Sequence, residues 1–429
     1  MMNRIFGLSK YNTNVKTEFL AGFVSFITAI YIVVVNASIL ADAGIPFEAG
    51  IVATGLTSFV GCLIMGFWGN SPLAIVPGMG INALFTYTIV HGLHLSWQEA
   101  LAVVFVSGVL FTAISFTTLS GVIQKAIPRS LKDAITAGIG LFITFIGLQK
   151  GGIVVAHPST LVALGDLSSV HVLLTLATLI VMFILFVRNV PGNLLIGIAV
   201  GTVLAALSGT IQIDDAGQSS VTFADSLSAL GAMSFGSIGT IAFWIATFSL
   251  MLVLVFENVG LIHGQLGMLK QPEKFDRSLQ ASAMAITASG VLGSSPTVSS
   301  VESTAGISAG GKTGLTAVTT GFLFLIALFF IPFIKMIPDT AIAPVLILVG
   351  GLMIQSVKNI PFEDLSEGLP AFLVLATIPL TSSIVDGMAI GFIVYPILKI
   401  ATGKWKQVGI PLLIIAVLFL LNLVFNAIG

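Results

Sequence analysis

Two acidic side chains lie next to apolar stretches, where a charge is expensive to keep. Glu257 follows the run Leu252-Val-Leu-Val-Phe256, and Glu302 follows Thr297-Val-Ser-Ser-Val. A charged side chain at the centre of a bilayer costs at least about 2.5–3.5 kcal/mol, so such residues are functional candidates by default. We expect both acids to accept hydrogen bonds from a substrate and to couple its movement to protons. The alternative is a structural carboxyl that is protonated or hydrogen-bonded.

Two stretches of similar composition, 71–83 and 295–306, are candidates for a binding site. Each opens with Ser-Pro, continues with residues that favour extended chain, and then enters a helix of small residues. Paired segments interrupted by Gly and Pro are a sequence pointer to a transporter's substrate site. The alternative is a pair of ordinary kinked helices, because Pro and Gly are frequent in membrane spans.

The start of a half-helix offers free backbone N–H groups and the positive end of the helix dipole. Gly78 and Gly80 would let a ligand approach the backbone closely, and Asn82 adds an amide that donates and accepts. Glu302 and Ser303 occupy the corresponding turn of the second stretch, where backbone N–H groups would hold the carboxylate ionised. The other acid has no such support and is the expected proton carrier. A small uncharged heteroaromatic ring with N–H donors and carbonyl acceptors would match this set.

Aromatic and further titratable residues are weaker candidates. Phe85 and Phe256 could stack on a flat ring, although the chain has 31 Phe and most of them must pack against lipid or the core. His263 follows Glu257 by six residues and could belong to a proton path or to the membrane interface. The role of Asp386 is left open.

The composition excludes several classes of protein. Of 429 residues, 56% are hydrophobic and 8% are charged, whereas ordinary soluble domains carry about 25% charged residues. These values exclude a disordered chain, a disulfide scaffold and a nucleic-acid binder. A single cysteine allows no internal disulfide and no Cys-based metal cluster. The chain carries no nucleotide-binding or zinc motif, so protons are the only coupling partner expected and no cofactor is predicted.

Apolar runs between polar breaks predict 14 membrane segments, seven on each side of the polar stretch 214–225. They are 18–40, 48–68, 72–92, 97–118, 131–149, 171–188, 191–210, 238–262, 278–293, 295–310, 313–334, 341–357, 366–400 and 408–428. The two Ser-Pro stretches fall in the third segment of each seven. Because seven is odd, the second half must have the inverted topology.

Lysine and arginine predict the orientation, because they favour cytoplasmic loops. With the N-terminus inside and 14 crossings, 12 of the 17 lie inside and five outside. Three of the five exceptions, Lys399, Lys404 and Lys406, cluster between the last two segments. Either that loop breaks the rule, or 366–400 is broken and does not cross fully. We predict a multi-pass protein of the cytoplasmic (inner) membrane with a cytoplasmic N-terminus.

Several stretches together resemble a known family, the AzgA-like hypoxanthine/guanine/adenine permeases of the nucleobase–cation symporter-2 superfamily. The resemblance covers essentially the whole chain. It is carried by 26–36 (FITAIYIVVVN), 74–83 (AIVPGMGINA), 128–132 (PRSLK), 137–143 (AGIGLFI), 301–306 (VESTAG) and 310–317 (GGKTGLTA). One departure lies on the eighth segment, where relatives usually carry Phe-Asp-Thr-x-Gly-Thr-Leu and this chain has Phe-Glu-Asn-Val-Gly-Leu-Ile.

The resemblance implies an all-α polytopic fold of 14 segments as a 7+7 inverted repeat, with short strands in segments 3 and 10. A core domain would hold segments 1–4 (18–118) and 8–11 (238–334). A gate domain would hold segments 5–7 (131–210) and 12–14 (341–428). The family's binding acids fall on Glu257 and Glu302, and its segment-3 amide falls on Asn82.

The predicted function is import of a purine nucleobase by proton symport, with hypoxanthine or guanine preferred and adenine as a further candidate. The chain is therefore expected to be a transporter rather than an enzyme. Its expected partners are the purine, the lipid bilayer and, by analogy with the superfamily, a second copy in a homodimer. Rival functions are an anion exchanger or channel of the same fold, an intramembrane hydrolase, and a structural or receptor protein.

Overall fold

The computed structural model describes residues 2–117, 127–210 and 226–428. Most of the polar stretch that separates the two predicted halves, including Asp214, Asp215, Gln218 and Asp225, lies outside the described residues, as does Lys125. Within the described residues the fold is mostly helical. Nine helical stretches in them are long and apolar enough to cross a membrane, and three more apolar helices are shorter, so the chain is a polytopic membrane protein.

The helices and strands follow one another in this order. The first part contains α1 (Met2–Phe6), α2 (Val15–Ala29), α3 (Tyr31–Asp42), α4 (Phe47–Ile64), β1 (Ile75–Pro77), α5 (Met79–Ala83), α6 (Trp97–Ser115), α7 (Arg129–Lys150), β2 (Val154–His157), β3 (Leu161–Leu164), α8 (Val170–Val187) and α9 (Asn193–Leu207). The second part contains α10 (Ile241–Leu269), α11 (Phe275–Val291), β4 (Thr297–Ser299), α12 (Ser303–Ser308), α13 (Gly314–Ala327), α14 (Ile331–Ile334), α15 (Asp339–Met353), α16 (Leu365–Thr381), α17 (Ile384–Ala401) and α18 (Ile410–Ile428).

Both Ser-Pro stretches are extended for three residues before a helix starts. β1 and β4 pair antiparallel, with Val76 opposite Val298, and all six strand residues are buried. Proline keeps the residue before it extended and removes a helical donor, which explains why the helix starts only after Pro77 in the first stretch. A π-helical stretch, Leu84–Gly92, continues α5.

A second pair of strands was not predicted from the sequence. β2 and β3 form a hairpin between α7 and α8, and Val155, Leu161 and Leu164 are exposed on it. Its residues lie in a short connection that contains no polar-apolar alternation strong enough to indicate strands.

The helices pack in two groups. In the first, α4 packs on α13 and α6 packs on α11, while α2 contacts α13 and α10 contacts α6. In the second, α7 packs on α15, and α8, α9, α16 and α17 surround that pair. The α7–α15 crossing depends on small residues, because a Cβ on Gly140 would lie 2.7 Å from the Gly350 carbonyl oxygen.

The predicted segment 366–400 is a hairpin of two helices rather than one crossing. Ser382 ends α16 with a φ of 54°, and Ser383 then caps α17 by accepting from the Asp386 N–H. The two helices run antiparallel, since a Cβ on Gly387 would meet Ile378 and one on Gly391 would meet Val374.

Ion pairs join the two helices of the hairpin at the end opposite to the turn. Lys404 Nζ lies 2.7 Å from Asp364 Oδ2, and Lys399 Nζ lies 2.6 Å from Glu367 Oε1. Glu367 also accepts from the hydroxyl of Ser130, at the start of α7. Lys399, Lys404 and the nearby Lys406 are therefore at the end of the molecule that contains Arg129, which we call the inner end. The opposite end, with Asp42, Lys150 and Ser382, is the outer end.

The last helix has a different place from the one predicted for segment 14. Phe419 of α18 stacks on Phe392 of α17 with ring centroids 5.5 Å apart, so α18 runs back along the hairpin. The hairpin forms two helices where the sequence predicted one membrane segment. α18 is therefore an additional segment beyond the seven that were predicted for the second half.

The hairpin predicts which cysteine substitutions a thiol reagent can label from each side of the membrane. A thiol reagent that cannot cross the membrane should label Lys358→Cys and Lys406→Cys from the same face, and Ser382→Cys from the other. All three side chains are exposed, and the native Cys62 is buried and should stay unreactive. Labelling of the two lysine positions from opposite faces would show that 366–400 is a single crossing.

Candidate functional site

A cavity of about 420 Å³ lies between the paired strands of the first helix group and helices α7 and α15 of the second. Cavities of this size accommodate small ligands. Five of the predicted site residues line it, namely Gly78, Gly80, Phe256, Glu257 and Glu302. Its mouth is at the inner end, where Arg129, Lys132 and Asp133 of α7 line it.

Glu302 is held by hydroxyl groups. Its Oε1 accepts from the Tyr31 hydroxyl at 2.6 Å, and its Oε2 accepts from the Ser300 hydroxyl. The expectation that backbone N–H groups would hold this carboxylate was wrong, because Glu302 precedes α12 and its side chain makes no capping bond. Two donors on the two oxygens fix the direction of the remaining lone pairs.

Glu257 has a different environment. It is half-buried in the middle of α10, faces the cavity, and receives no hydrogen bond from any side chain or backbone group in the described part of the chain. The next residue, Asn258, points away from the cavity and accepts from the Ser282 hydroxyl at 2.5 Å and from the Ser299 N–H at 3.3 Å. One face of α10 thus anchors β4 while the neighbouring position presents an unpaired acid.

Three predicted site residues do not line the cavity. Asn82 and Phe85 are fully buried, and their spacing of three places both on the helix face that turns away from the ligand space. Ser303 is also buried and accepts from the Ala74 N–H at 2.9 Å, which ties the two Ser-Pro stretches together.

Asn82 belongs to a buried relay. The Ser295 hydroxyl lies 2.7 Å from Asn82 Oδ1 and 3.0 Å from Asn36 Oδ1. A hydroxyl has one hydrogen and can donate to only one of these oxygens. Turning the Asn82 amide so that its nitrogen donates to the Ser295 hydroxyl leaves that hydroxyl free to donate to Asn36, and it gives the Asn82 nitrogen the partner that it otherwise lacks.

The two glycines have different neighbours. A Cβ on Gly78 would lie 2.7 Å from Val298 of β4, so this glycine allows the strands to pack. A Cβ on Gly80 would lie 3.0 Å from Ile139 of α7 and 3.4 Å from Met353 of α15. Gly80 is therefore the point where the half-helix touches the second helix group.

Two residues with open roles lie outside the cavity. His263 is exposed and its ring meets Phe275 edge-on. Asp386 is half-buried in the first turn of α17.

Tyr31 and Ser300 are site residues that the sequence reasoning missed. Tyr31 stands in the stretch 26–36 that carries the family resemblance, which was the available signal, although nothing in its spacing connects it with a glutamate 271 residues later.

Comparison with known proteins identifies the family. The family model Xan_ur_permease, described as a permease family, matches residues 16–390. The nucleobase transporter PlAzg2 of Paenibacillus larvae is 53% identical over 89% of this chain and 76% of its own. This chain belongs to the nucleobase–cation symporter-2 family. The resemblance found in the sequence is thereby confirmed, and the protein is a permease, not an enzyme.

Two further comparisons extend this result. The guanine/hypoxanthine permease PbuO of Bacillus subtilis is 41% identical and covers 98% of this chain and 99% of its own. Among solved structures, the transmembrane domain of the cyanobacterial bicarbonate transporter BicA matches with a TM-score of 0.67 at 15% identity, covering 88% of this permease and 97% of that domain. At that identity the likeness concerns the fold alone.

Gly80→Val should slow transport by the permease about tenfold or more, because overpacking costs roughly 1–3 kcal/mol. The added methyl groups meet Ile139, so Ile139→Ala should partly restore the rate in the double variant. Gly260→Val is the matched control, since this glycine lines the same cavity and has nothing within 4 Å of a Cβ. The measurement is the initial uptake rate of the unmodified permease, of Gly80→Val, of the double variant and of Gly260→Val. Near-normal uptake in Gly80→Val would mean that the half-helix does not touch the second group during transport.

Proposed function

We propose that the permease imports a purine nucleobase, hypoxanthine or guanine foremost and adenine as a further candidate, by proton symport. The names of PlAzg2 and PbuO support the substrate class. The observation that carries the proposal is the presence of two acids in one cavity, one with both oxygens occupied by hydroxyl donors and one without a hydrogen bond among the described residues.

In this proposal one acid binds the purine and the other carries the proton. Glu302 is ionised, oriented by Tyr31 and Ser300, and accepts a hydrogen bond from a ring N–H group of the purine. Backbone N–H groups at the start of α5 donate to the purine's acceptors, and Phe256 packs against its ring. Glu257 carries the proton, because it faces the same cavity and no donor stabilises its charge.

Asn82, Phe85 and Ser303 do not contact the purine in this proposal. Ser303 and Asn82 join the two Ser-Pro stretches through Ala74 and Ser295, which keeps Glu302 at a constant distance from the start of α5. We therefore assign these residues to positioning, and the direct contacts to the five residues that line the cavity.

Transport would follow from an inverted repeat of seven segments in each half. The packing supports it, because α7 contacts α15, while α15 contacts α8 in the same way that α7 contacts α16. The core domain consists of 18–118 and 238–334 and carries both acids. The gate domain consists of 131–210 and of α15, α16 and α17, with α18 as an additional helix. Sliding of the core against the gate would expose the cavity to the two sides in turn.

The orientation is cytoplasmic for the inner end and for the N-terminus. With the hairpin of α16 and α17, fourteen of the 16 lysines and arginines in the described part of the chain fall at the inner end, and among these 16 only Lys150 and Lys335 are at the outer end. The positive-inside rule supports this placement more strongly than a single crossing would. The permease would then be a multi-pass protein of the cytoplasmic membrane, and a homodimer remains the expected assembly.

The rival function is an anion exchanger or channel of the same fold, and the likeness to the BicA domain, which concerns the fold alone, does not decide between the two. Glu257 and Glu302 in the same cavity argue against this rival, because two carboxylates would repel an anion.

Labelled hypoxanthine should accumulate in proteoliposomes that contain the purified permease when the outside is more acidic than the lumen. A protonophore should collapse the accumulation, because the gradient drives it. Empty liposomes are the control. Uptake that follows a sodium gradient and ignores pH would contradict proton coupling, and bicarbonate flux without hypoxanthine flux would favour the anion exchanger.

Glu302→Gln should weaken hypoxanthine binding by roughly tenfold to a hundredfold, because a hydrogen bond to a charged group contributes about 1.5–3 kcal/mol. Glu257→Gln keeps the shape but cannot titrate, so it should retain counterflow exchange and lose gradient-driven accumulation. Asp386→Asn, an acid outside the cavity, is the control and should behave like the unmodified permease. The reverse pattern in the two glutamine variants would exchange the two roles, and full activity in either would remove that residue from the site.

A further inference from the structure

At the outer end, the first and second helix groups are joined by an ion pair. Lys150 Nζ, at the end of α7, lies 2.9 Å from Asp42 Oδ1 and 3.3 Å from the Ser38 hydroxyl, both at the end of α3. Tyr87 donates to the other oxygen, Oδ2, at 2.5 Å. The Asp42 carboxylate thus receives one bond from the second group and one from the first.

Further contacts across the groups surround this pair. The Ile384 N–H, at the start of α17, donates to the Thr88 hydroxyl at 3.0 Å. The Tyr87 ring meets Phe142 of α7 edge-on with centroids 5.6 Å apart. A space of about 200 Å³ remains between the groups at this end, and the cavity that contains both acids, about 420 Å³, reaches the inner end, where Arg129 lines it. The two groups are therefore bridged by polar and ring contacts at the end opposite to that cavity.

We propose that Asp42, Lys150 and Tyr87 form the outer gate of the permease: the ion pair holds the outer end closed while the cavity faces inward, and it must separate before a purine can enter from outside. The inference rests on the proposed alternating-access transport. It also explains why Lys150 is kept at the outer end against the charge distribution of the rest of the chain.

The other outer lysine offers a matched comparison. Lys335 Nζ lies 2.7 Å from Glu48 Oε1, but Glu48 is in α4 and Lys335 follows α14, so both belong to the predicted core or its border. An ion pair within one domain does not change when the domains slide. Both pairs join a lysine to an acid at the outer end, and they differ in whether they bridge core and gate.

The ion pair is suited to reversible opening. The Lys150 and Asp42 side chains are 16% and 30% exposed, so water can solvate both charges when they separate. Pairs of this kind shift a two-state equilibrium by about two- to fivefold, which is enough to bias the resting state without locking it.

The first test measures the conformation without any substrate. Gly260→Cys places a thiol in the inner cavity, where a Cβ has open space, and an impermeant reagent should label it in inside-out vesicles. Asp42→Asn and Lys150→Gln should each slow this labelling by about two- to fivefold, because the inward-open state loses its outer contact. The exchanged double variant Asp42→Lys/Lys150→Asp should restore the rate. Glu48→Gln and Lys335→Gln should leave it unchanged.

The second test locks the gate. A short bis-thiosulfonate cross-linker, which forms a disulfide with each cysteine and releases sulfinate, should abolish hypoxanthine uptake by Asp42→Cys/Lys150→Cys, and reduction should restore it. The same treatment of Glu48→Cys/Lys335→Cys should leave uptake intact. Unchanged labelling in both single variants, or uptake that continues through the cross-linked pair, would overturn the outer gate. Because labelling needs no purine, a failure of the proposed substrate would leave that result standing and could be told apart from a failure of the gate.

Discussion

The structure depends on one constraint, that the backbone of two broken helices must be satisfied where lipid offers no hydrogen bonds. The antiparallel pairing of β1 with β4 meets it. Side chains complete the pairing, since Ser303 accepts from the Ala74 N–H and Gln265 of α10 donates to the Ser300 carbonyl at 2.6 Å. The same pairing brings the starts of two half-helices to one cavity, so the site results from the way the break is repaired.

The pairing of β1 with β4 also determines the surroundings of each acid. Glu302 comes three residues after β4, and its neighbours there are the hydroxyl of Ser300, which follows β4, and the hydroxyl of Tyr31 at the start of α3. Glu257 is on a continuous helix on which Asn258 and Gln265 form hydrogen bonds with Ser299 of β4. A hydrogen-bonded carboxylate and one without a partner among the described residues therefore face the same cavity, and the proposed proton symport rests on this difference.

Contacts between the two helix groups are few and differ between the ends. Gly80 touches Ile139 and Met353 without a side chain of its own, so this contact can slide. At the outer end the contacts between the groups include polar, directional ones, from Lys150 to Asp42 and from the Ile384 N–H to Thr88. Relative movement of two rigid groups needs contacts that can slide and contacts that can separate. The Gly80 contact is of the first kind, and the polar contacts at the outer end are of the second.

The sequence by itself determined the membrane class, the family, the two acids and the position of both Ser-Pro breaks, because hydropathy, costly charges and proline act locally along the chain. It also revealed the anomaly at Lys399, Lys404 and Lys406, but could not choose between a rule-breaking loop and a hairpin. Only the tertiary structure decided this, since the turn at Ser382 brings Asp364 and Lys404, which are 40 residues apart in the chain, into an ion pair. It likewise decided that Asn82 turns away from the cavity and that Tyr31 holds Glu302. Which face of a helix meets which neighbour depends on packing between residues far apart in the chain, and local patterns carry no record of it.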